Sequence, residues 1–393
     1  MSFFDEWEEA SWHFTYVDED EPDKTTLQGG LVAVFYMVGA YLPARRQAIA
    51  QVMQEFHLHY GQHLQWGYWG DRQDRIRAYS ASDYANGSEW VRTLPMTHPV
   101  EFTWSSGAGY EFVGSYAIEA YSMAGWKEKN YKGISYLNIY LPIEELQGNG
   151  LIIFEQRLRE WASLLQPLHG YAGLGFQQCN EYHRYENLEL EHAEQFRCFD
   201  VGSCLSHDEL REGFKSINWY TILSDSYLPQ LGGKDVLASA LEQEELSLLN
   251  YSGGIMVKTG EYPELGWVEK GPLPASYIAA NRILKPARVA ELSNLHYGSI
   301  AGEARFTPDL TDQWLKRFDI PDEPVAYAVV VPFPQNNVAM QRCEANQPCP
   351  QSGYWYTPAK QNSRASFKQG GLMPDFPDSG YGATIWYWDA DQN

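Results

Sequence analysis

Three histidines, His57, His59 and His63, lie close enough in the sequence to share a zinc ion. On a strand, His57 and His59 would point to one face. They instead straddle the end of a predicted helix and a turn at Gly61, where histidines complement the negative end of the helix dipole. Cys198 and Cys204 lie six apart, as do Cys343 and Cys349. Four thiolates could hold zinc and either pair could oxidise, but the CxxC bite is absent and buried free thiols are the default in a reducing cytosol. Walker, HExxH and GxSxG patterns are also absent. Gly107-Ala108-Gly109 and Gly173-Leu174-Gly175 lack a third glycine at dinucleotide-binding spacing and read as turns. With 51 acids, a carboxylate pair suited to glycoside hydrolysis could be assembled in almost any fold, so the count selects nothing. No catalytic residue, metal ligand or cofactor is assigned.

The acids do cluster. Residues 1–30 hold nine (Asp5, Glu6, Glu8, Glu9, Asp18, Glu19, Asp20, Glu21 and Asp23) against Lys24 alone. Residues 181–212 hold nine more, Glu186, Glu189, Glu191 and Glu194 among them, against three arginines. Such runs are ordinarily a solvated surface that aids solubility. They also make a negative face that steers a basic partner and enforces partner choice. A nuclease is one such partner, because its substrate groove must be positive.

The elements that would position these groups alternate between strand and helix. Leu31–Val38 is a continuously apolar run that reads as a buried strand. Pro43 opens a helix with Ile49, Val52, Met53 and Phe56 on one face. Strands are expected at 64–69, 111–123, 133–141, 171–178 and 217–224, the second and third of them paired. A helix over 150–167 carries Phe154, Leu158, Trp161 and Leu165 on one face. A further helix over 180–196 has Glu189 and His192 intruding on its apolar face. Short helices follow near 236–241 and at 275–284, with a hairpin around Ser252-Gly253-Gly254 between them. Val325–Val331 reads as a strand, and the rest, to Asn393, as a loop-rich appendage packed through Tyr354, Trp355, Tyr356, Trp386, Tyr387 and Trp388. The expected class is α+β or α/β. The segmentation is an acidic segment 1–30, a main domain 31–290, a connection 291–324 and a C-terminal module 325–393.

Composition narrows the function classes. Over 393 residues, 29 bases against 51 acids give a net charge of −22, the wrong sign for nucleic acid or an anionic membrane surface. The 44% hydrophobic fraction excludes wholesale disorder. The opening residues are acidic where a signal peptide is basic, and the longest apolar run, Leu31–Leu42, is too short to span a bilayer. A soluble cytoplasmic protein is expected. The 27 tyrosines and 14 tryptophans suit an interface as well as a core.

Ser216-Ile217-Asn218-Trp219-Tyr220-Thr221-Ile222-Leu223-Ser224-Asp225, followed by Leu228 and Leu231-Gly232-Gly233, resembles the central motif of the type VI secretion immunity family associated with VRR-NUC effectors. The Tyr251–Gly260 hairpin, Pro272-Leu273-Pro274, the helix to Leu284-Lys285-Pro286 and the strand and Pro-initiated helix after Gly30 are similar to that family too. The resemblance covers roughly residues 25–290. The tail, with Cys349-Pro350-Gln351-Ser352-Gly353-Tyr354-Trp355-Tyr356 and Tyr381-Gly382-Ala383-Thr384-Ile385-Trp386, resembles a module of other polymorphic-toxin immunity proteins.

The resemblance implies a non-enzymatic antidote that binds a cognate effector, a basic and cytoplasm-acting nuclease, and occludes its substrate groove. Charge density makes Asp18, Glu19, Asp20, Glu21, Glu186, Glu189, Glu191 and Glu194 the expected partner-binding acids. The competing expectations are a carboxylate-dependent carbohydrate-active hydrolase and a sugar- or peptide-binding module.

Overall fold

The computed structural model describes residues 2–17, 24–70, 76–180, 185–202, 207–296, 305–319, 342–357, 359–360, 363–376 and 384–389. The chain divides into two compact units, Met1–Ser299 with Ala304–Ile320, and Ile300–Glu303 with Pro321–Asn393.

The first unit opens with helix α1 (Phe3–Ala10) and a two-residue strand β1 (Tyr16–Val17). The long strand β2 (Thr25–Met37) follows, starting six residues before the apolar run that announces it. Helix α2 (Pro43–Tyr60) has its expected apolar face, Ile49, Val52, Met53 and Phe56, wholly buried. Next come β3 (Trp66–Trp69), β4 (Arg77–Ala78), α3 (Ala81–Thr93), β5 (Val100–Ser105), β6 (Ala117–Ser122), α4 (Gly125–Tyr131) and β7 (Ser135–Leu141). Helix α5 (Gly150–Leu165) turns Phe154, Leu158, Trp161 and Leu165 into the core, as its spacing predicts. It leads to β8 (His169–Gln178), which is buried along its whole length. Helix α6 (Glu186–Gln195), β9 (Tyr220–Ser224), α7 (Lys234–Gln243), the hairpin β10 (Ser247–Tyr251) and β11 (Gly254–Lys258), α8 (Ala275–Leu284) and α9 (Pro308–Leu315) complete the unit.

The strands form an 11-stranded sheet in the order β10-β11-β9-β8-β2-β7-β6-β5-β3-β4, with β1 pairing β2 outside this path. Every ladder among the described residues is antiparallel, which settles the class as α+β rather than a doubly wound α/β sheet. Strand β2 is the axis. It pairs with β7 from Leu31↔Leu141 to Met37↔Ser135 and with β8 from Leu27↔Gln178 to Tyr36↔His169.

Two expectations fail locally. Gly173-Leu174-Gly175 is not a turn but the middle of β8. Glycine is needed there because neighbours come too close for a side chain: a Cβ on Gly175 would lie 2.6 Å from Val32, and one on Gly170 would lie 2.3 Å from the Val34 carbonyl oxygen. The C-terminal appendage is also more regular than its composition suggests. Its strands β12 (Arg342–Glu344), β13 (Gly353–Tyr356), β14 (Ala365–Phe367) and β15 (Ile385–Trp388) form a four-stranded sheet in the order β12-β15-β13-β14. Cys343, Cys349, Trp355, Met373 and Trp386 fill its core. The strand expected at 325–331 lies outside the described residues.

Candidate functional site

Of the acids singled out by charge density, Asp18, Glu19, Asp20 and Glu21 lie outside the described residues. The other four sit on α6, and one turn of helix separates two different environments. Glu186 and Glu189 face inward and are 6% and 0% exposed. Glu191 is exposed and Glu194 half-buried. Burial, opposed by Arg197 and reinforced by Glu191, pushes the Glu194 carboxyl above its ordinary value.

Glu189 belongs to an interior polar network. Its Oε1 accepts from Gln178 Nε2 at 2.7 Å and from the Gly202 backbone N–H at 3.0 Å. Its Oε2 lies 2.5 Å from His296 Nε2. Beside it, Lys215 is completely buried and donates to Asp200 Oδ1 and Oδ2 at 3.0 and 3.1 Å, to Gly202 O at 3.0 Å and to Val201 O. Tyr171 donates to Asp200 Oδ2 at 2.5 Å. A Lys, Asp, Glu, His and Tyr gathered together have the composition of an active site. Here each charge is matched by internal partners, which is how buried ions are tolerated in a core. The network fastens the segment after β8 to the residues leading into β9 and α9.

The histidines and cysteines scatter as well. His57 Nε2 meets Tyr79 Oη at 2.6 Å, while His63 stacks on Tyr116 with ring centroids 4.1 Å apart. Cys198, Cys343 and Cys349 are buried free thiols, and Cys204 lies outside the described residues.

A surface constellation does form where α1 and the turn after it meet Phe196, Phe199, Tyr262 and Trp267. Ser2 and Asp5 close a capping box, with Asp5 N–H donating to Ser2 Oγ at 3.2 Å and Ser2 N–H to Asp5 Oδ2 at 3.0 Å. Phe3 stacks on Tyr262 at 5.6 Å and Trp7 on Phe199 at 6.1 Å, so the apolar side of α1 is glued down. Asp5, Glu8 and Glu9 remain exposed on the other side. After α1 the chain makes a tight turn that leaves Trp12 71% exposed and sends His13 against Trp267, with centroids 5.1 Å apart. Trp267 in turn is tied to the end of α6. Phe196 bridges to Trp267, and the Val268 N–H donates to Gln195 O at 2.9 Å.

Sequence-distant acids therefore come together: Glu6 and Glu9 of α1 lie near Glu264, whose loop also carries the exposed Glu261 and Glu269. Burial, together with the charges of Glu264 and Glu9, raises the Glu6 carboxyl. Lys270 pairs with Glu9 and lies 4.8 Å over the Trp267 ring. Charge density alone missed Trp12 and the 261–269 acids. Their signal is the interleaving of aromatics with acids in Phe3-Phe4-Asp5-Glu6-Trp7-Glu8-Glu9 and Glu261-Tyr262-Pro263-Glu264.

Residues 48–318, more than half of the chain, match the family model TsiV, described as type VI immunity for VRR-NUC. The fold is similar to the Pseudomonas aeruginosa T6SS protein PA0821, with a TM-score of 0.71 and 25% sequence identity over 79% of this chain and 87% of that one. No curated protein matches. No helix among the described residues is long and apolar enough to cross a membrane. On the strength of the match over 48–318, the chain belongs to the TsiV family of type VI immunity proteins for VRR-NUC.

Proposed function

We propose that this protein neutralises its cognate effector, a basic nuclease acting in the cytoplasm, by stoichiometric binding that occludes the substrate groove. Membership of the immunity family is the observation that carries the reading. The charge supports it: a chain of net −22 is complementary to a surface built to hold phosphates. In this reading the protein turns over no substrate and resides where the nuclease acts. Residues 31–290 are the immunity domain and the acidic segment 1–30 contributes to its contact surface. Asp18, Glu19, Asp20, Glu21, Glu191 and Glu194 steer the approach, while Glu186 and Glu189 hold the scaffold.

Co-expression with its cognate effector tests the proposal. Growth should be restored and the two proteins should co-purify in a fixed ratio. Continued killing despite abundant soluble antidote, or rescue at far below equimolar amounts, would contradict occlusion.

A further inference from the structure

The geometry points to the face made by α1, the Trp12 turn, the outer end of α6 and residues 261–270 as the surface that receives the effector's nuclease domain, with Trp12 as its anchor. This rests on the neutralisation reading above and says where it happens.

Two independent features meet there. The first is an exposed aromatic that is already ordered. Trp12 lies on His13 with ring centroids 3.6 Å apart and planes 30° apart, and His13 is held by Trp267 and Phe196. A pre-positioned indole loses little rotamer freedom on binding, and tryptophan is enriched among residues that dominate interface energetics.

The second is charge. Glu6, Glu9, Glu261, Glu264 and Glu269 outnumber Lys270. Repulsion among Glu6, Glu9 and Glu264 is relieved by a cation brought by a partner.

Charge also discriminates against a second exposed aromatic pair. Trp126 and Tyr131 of α4 are 55% and 65% exposed, but the same stretch carries Lys127, Lys129 and Lys132. A phosphate-binding surface would be repelled there.

The test is biolayer interferometry of the full-length protein against the purified nuclease domain of its cognate effector. Trp12→Ala should weaken binding about tenfold or more, chiefly through faster dissociation. The double variant Glu6→Lys, Glu264→Lys should slow association about tenfold at low salt and flatten its salt dependence. Trp126→Ala should bind like the unaltered chain, and all three should keep its circular-dichroism melting profile. If the unaltered chain binds while Trp12→Ala and the charge reversal bind equally well, the face is wrong and neutralisation stands. If the unaltered chain does not bind the nuclease domain, the neutralisation reading fails and this assignment fails with it.

Discussion

Glu189 and His296 lie 107 residues apart in the chain and meet at 2.5 Å, with side chains 0% and 2% exposed. The Phe306 N–H donates to His296 Nδ1 at 3.2 Å, so the ring proton sits on Nε2 and is donated to Glu189. One carboxylate thus joins α6, β8, the Gly202 backbone and the approach to α9. Replacing it with Ala strands the donors of Gln178, Gly202 and His296 in the interior.

Glu189→Ala should therefore lower unfolding free energy by about 3 kcal/mol or more. Glu191→Ala, two residues on but exposed, should stay within about 0.5 kcal/mol of the unaltered protein. Urea denaturation at pH 7 separates them. Equal losses would mean that α6 does not face the core as described.

The Lys215–Asp200 pair makes a related prediction. Lys215→Met removes the cation and leaves Asp200, 3% exposed, with a carboxylate that Tyr171 alone cannot compensate. The loss should be about 3–5 kcal/mol. Adding Asp200→Asn removes the stranded charge and should recover part of it. A double-mutant cycle by urea denaturation checks the sign of the coupling, which must be strongly favourable.

Which of these features can be read in the sequence depends on what fixes each one. Helices α2, α5 and α8 are legible because their apolar residues keep helical spacing and prolines mark their edges, Pro43 for α2 and Pro274 with Pro286 for α8. Helix α3 is not, because Ala81–Thr93 holds Ser, Asn and Gly in place of an apolar stripe. Tertiary bonds hold it: Tyr84 Oη to Met53 O at 2.7 Å and Ser88 Oγ to Ala50 O at 3.1 Å. The same limit applies to the acids. Charge density finds α6 but cannot say that Glu189 points inward while Glu191 points outward. That depends on the phase of a helix whose own apolar pattern Glu189 and His192 interrupt. The exposure of Trp12 is set by a turn whose direction only the packed Trp7, Phe14 and Phe199 determine.

Strand β8 offers a test of close packing. Gly170 pairs with Phe35 on one side and Ile222 on the other, and a Cβ placed there meets the Val34 carbonyl, a backbone atom that cannot swing aside. Gly170→Ala should cost about 2–4 kcal/mol, well beyond the small gain in strand propensity expected of Ala over Gly at an open site. Thermal melting should show a clearly lower midpoint, and an unchanged one would refute the close approach of β8 to β2.

His169 sets how stability responds to acid. It is completely buried, and its Nε2 lies 2.6 Å from Leu210 O, so the neutral ring donates there. Burial, with Lys215 adding to it and the Leu210 bond opposing, pushes its pKa down to about 4. The unfolded chain takes up this proton below about pH 6.5, whereas the folded chain resists until about pH 4. The depressed value therefore supports the fold above pH 6.5, and that support is lost as pH falls through the window to 4. The loss amounts to about 3 kcal/mol. His169→Gln keeps an N–H for Leu210 but does not titrate. Urea midpoints at pH 7 and pH 4.5 should drop more steeply for the unaltered protein than for His169→Gln. Parallel slopes would show that His169 is not held neutral by the fold.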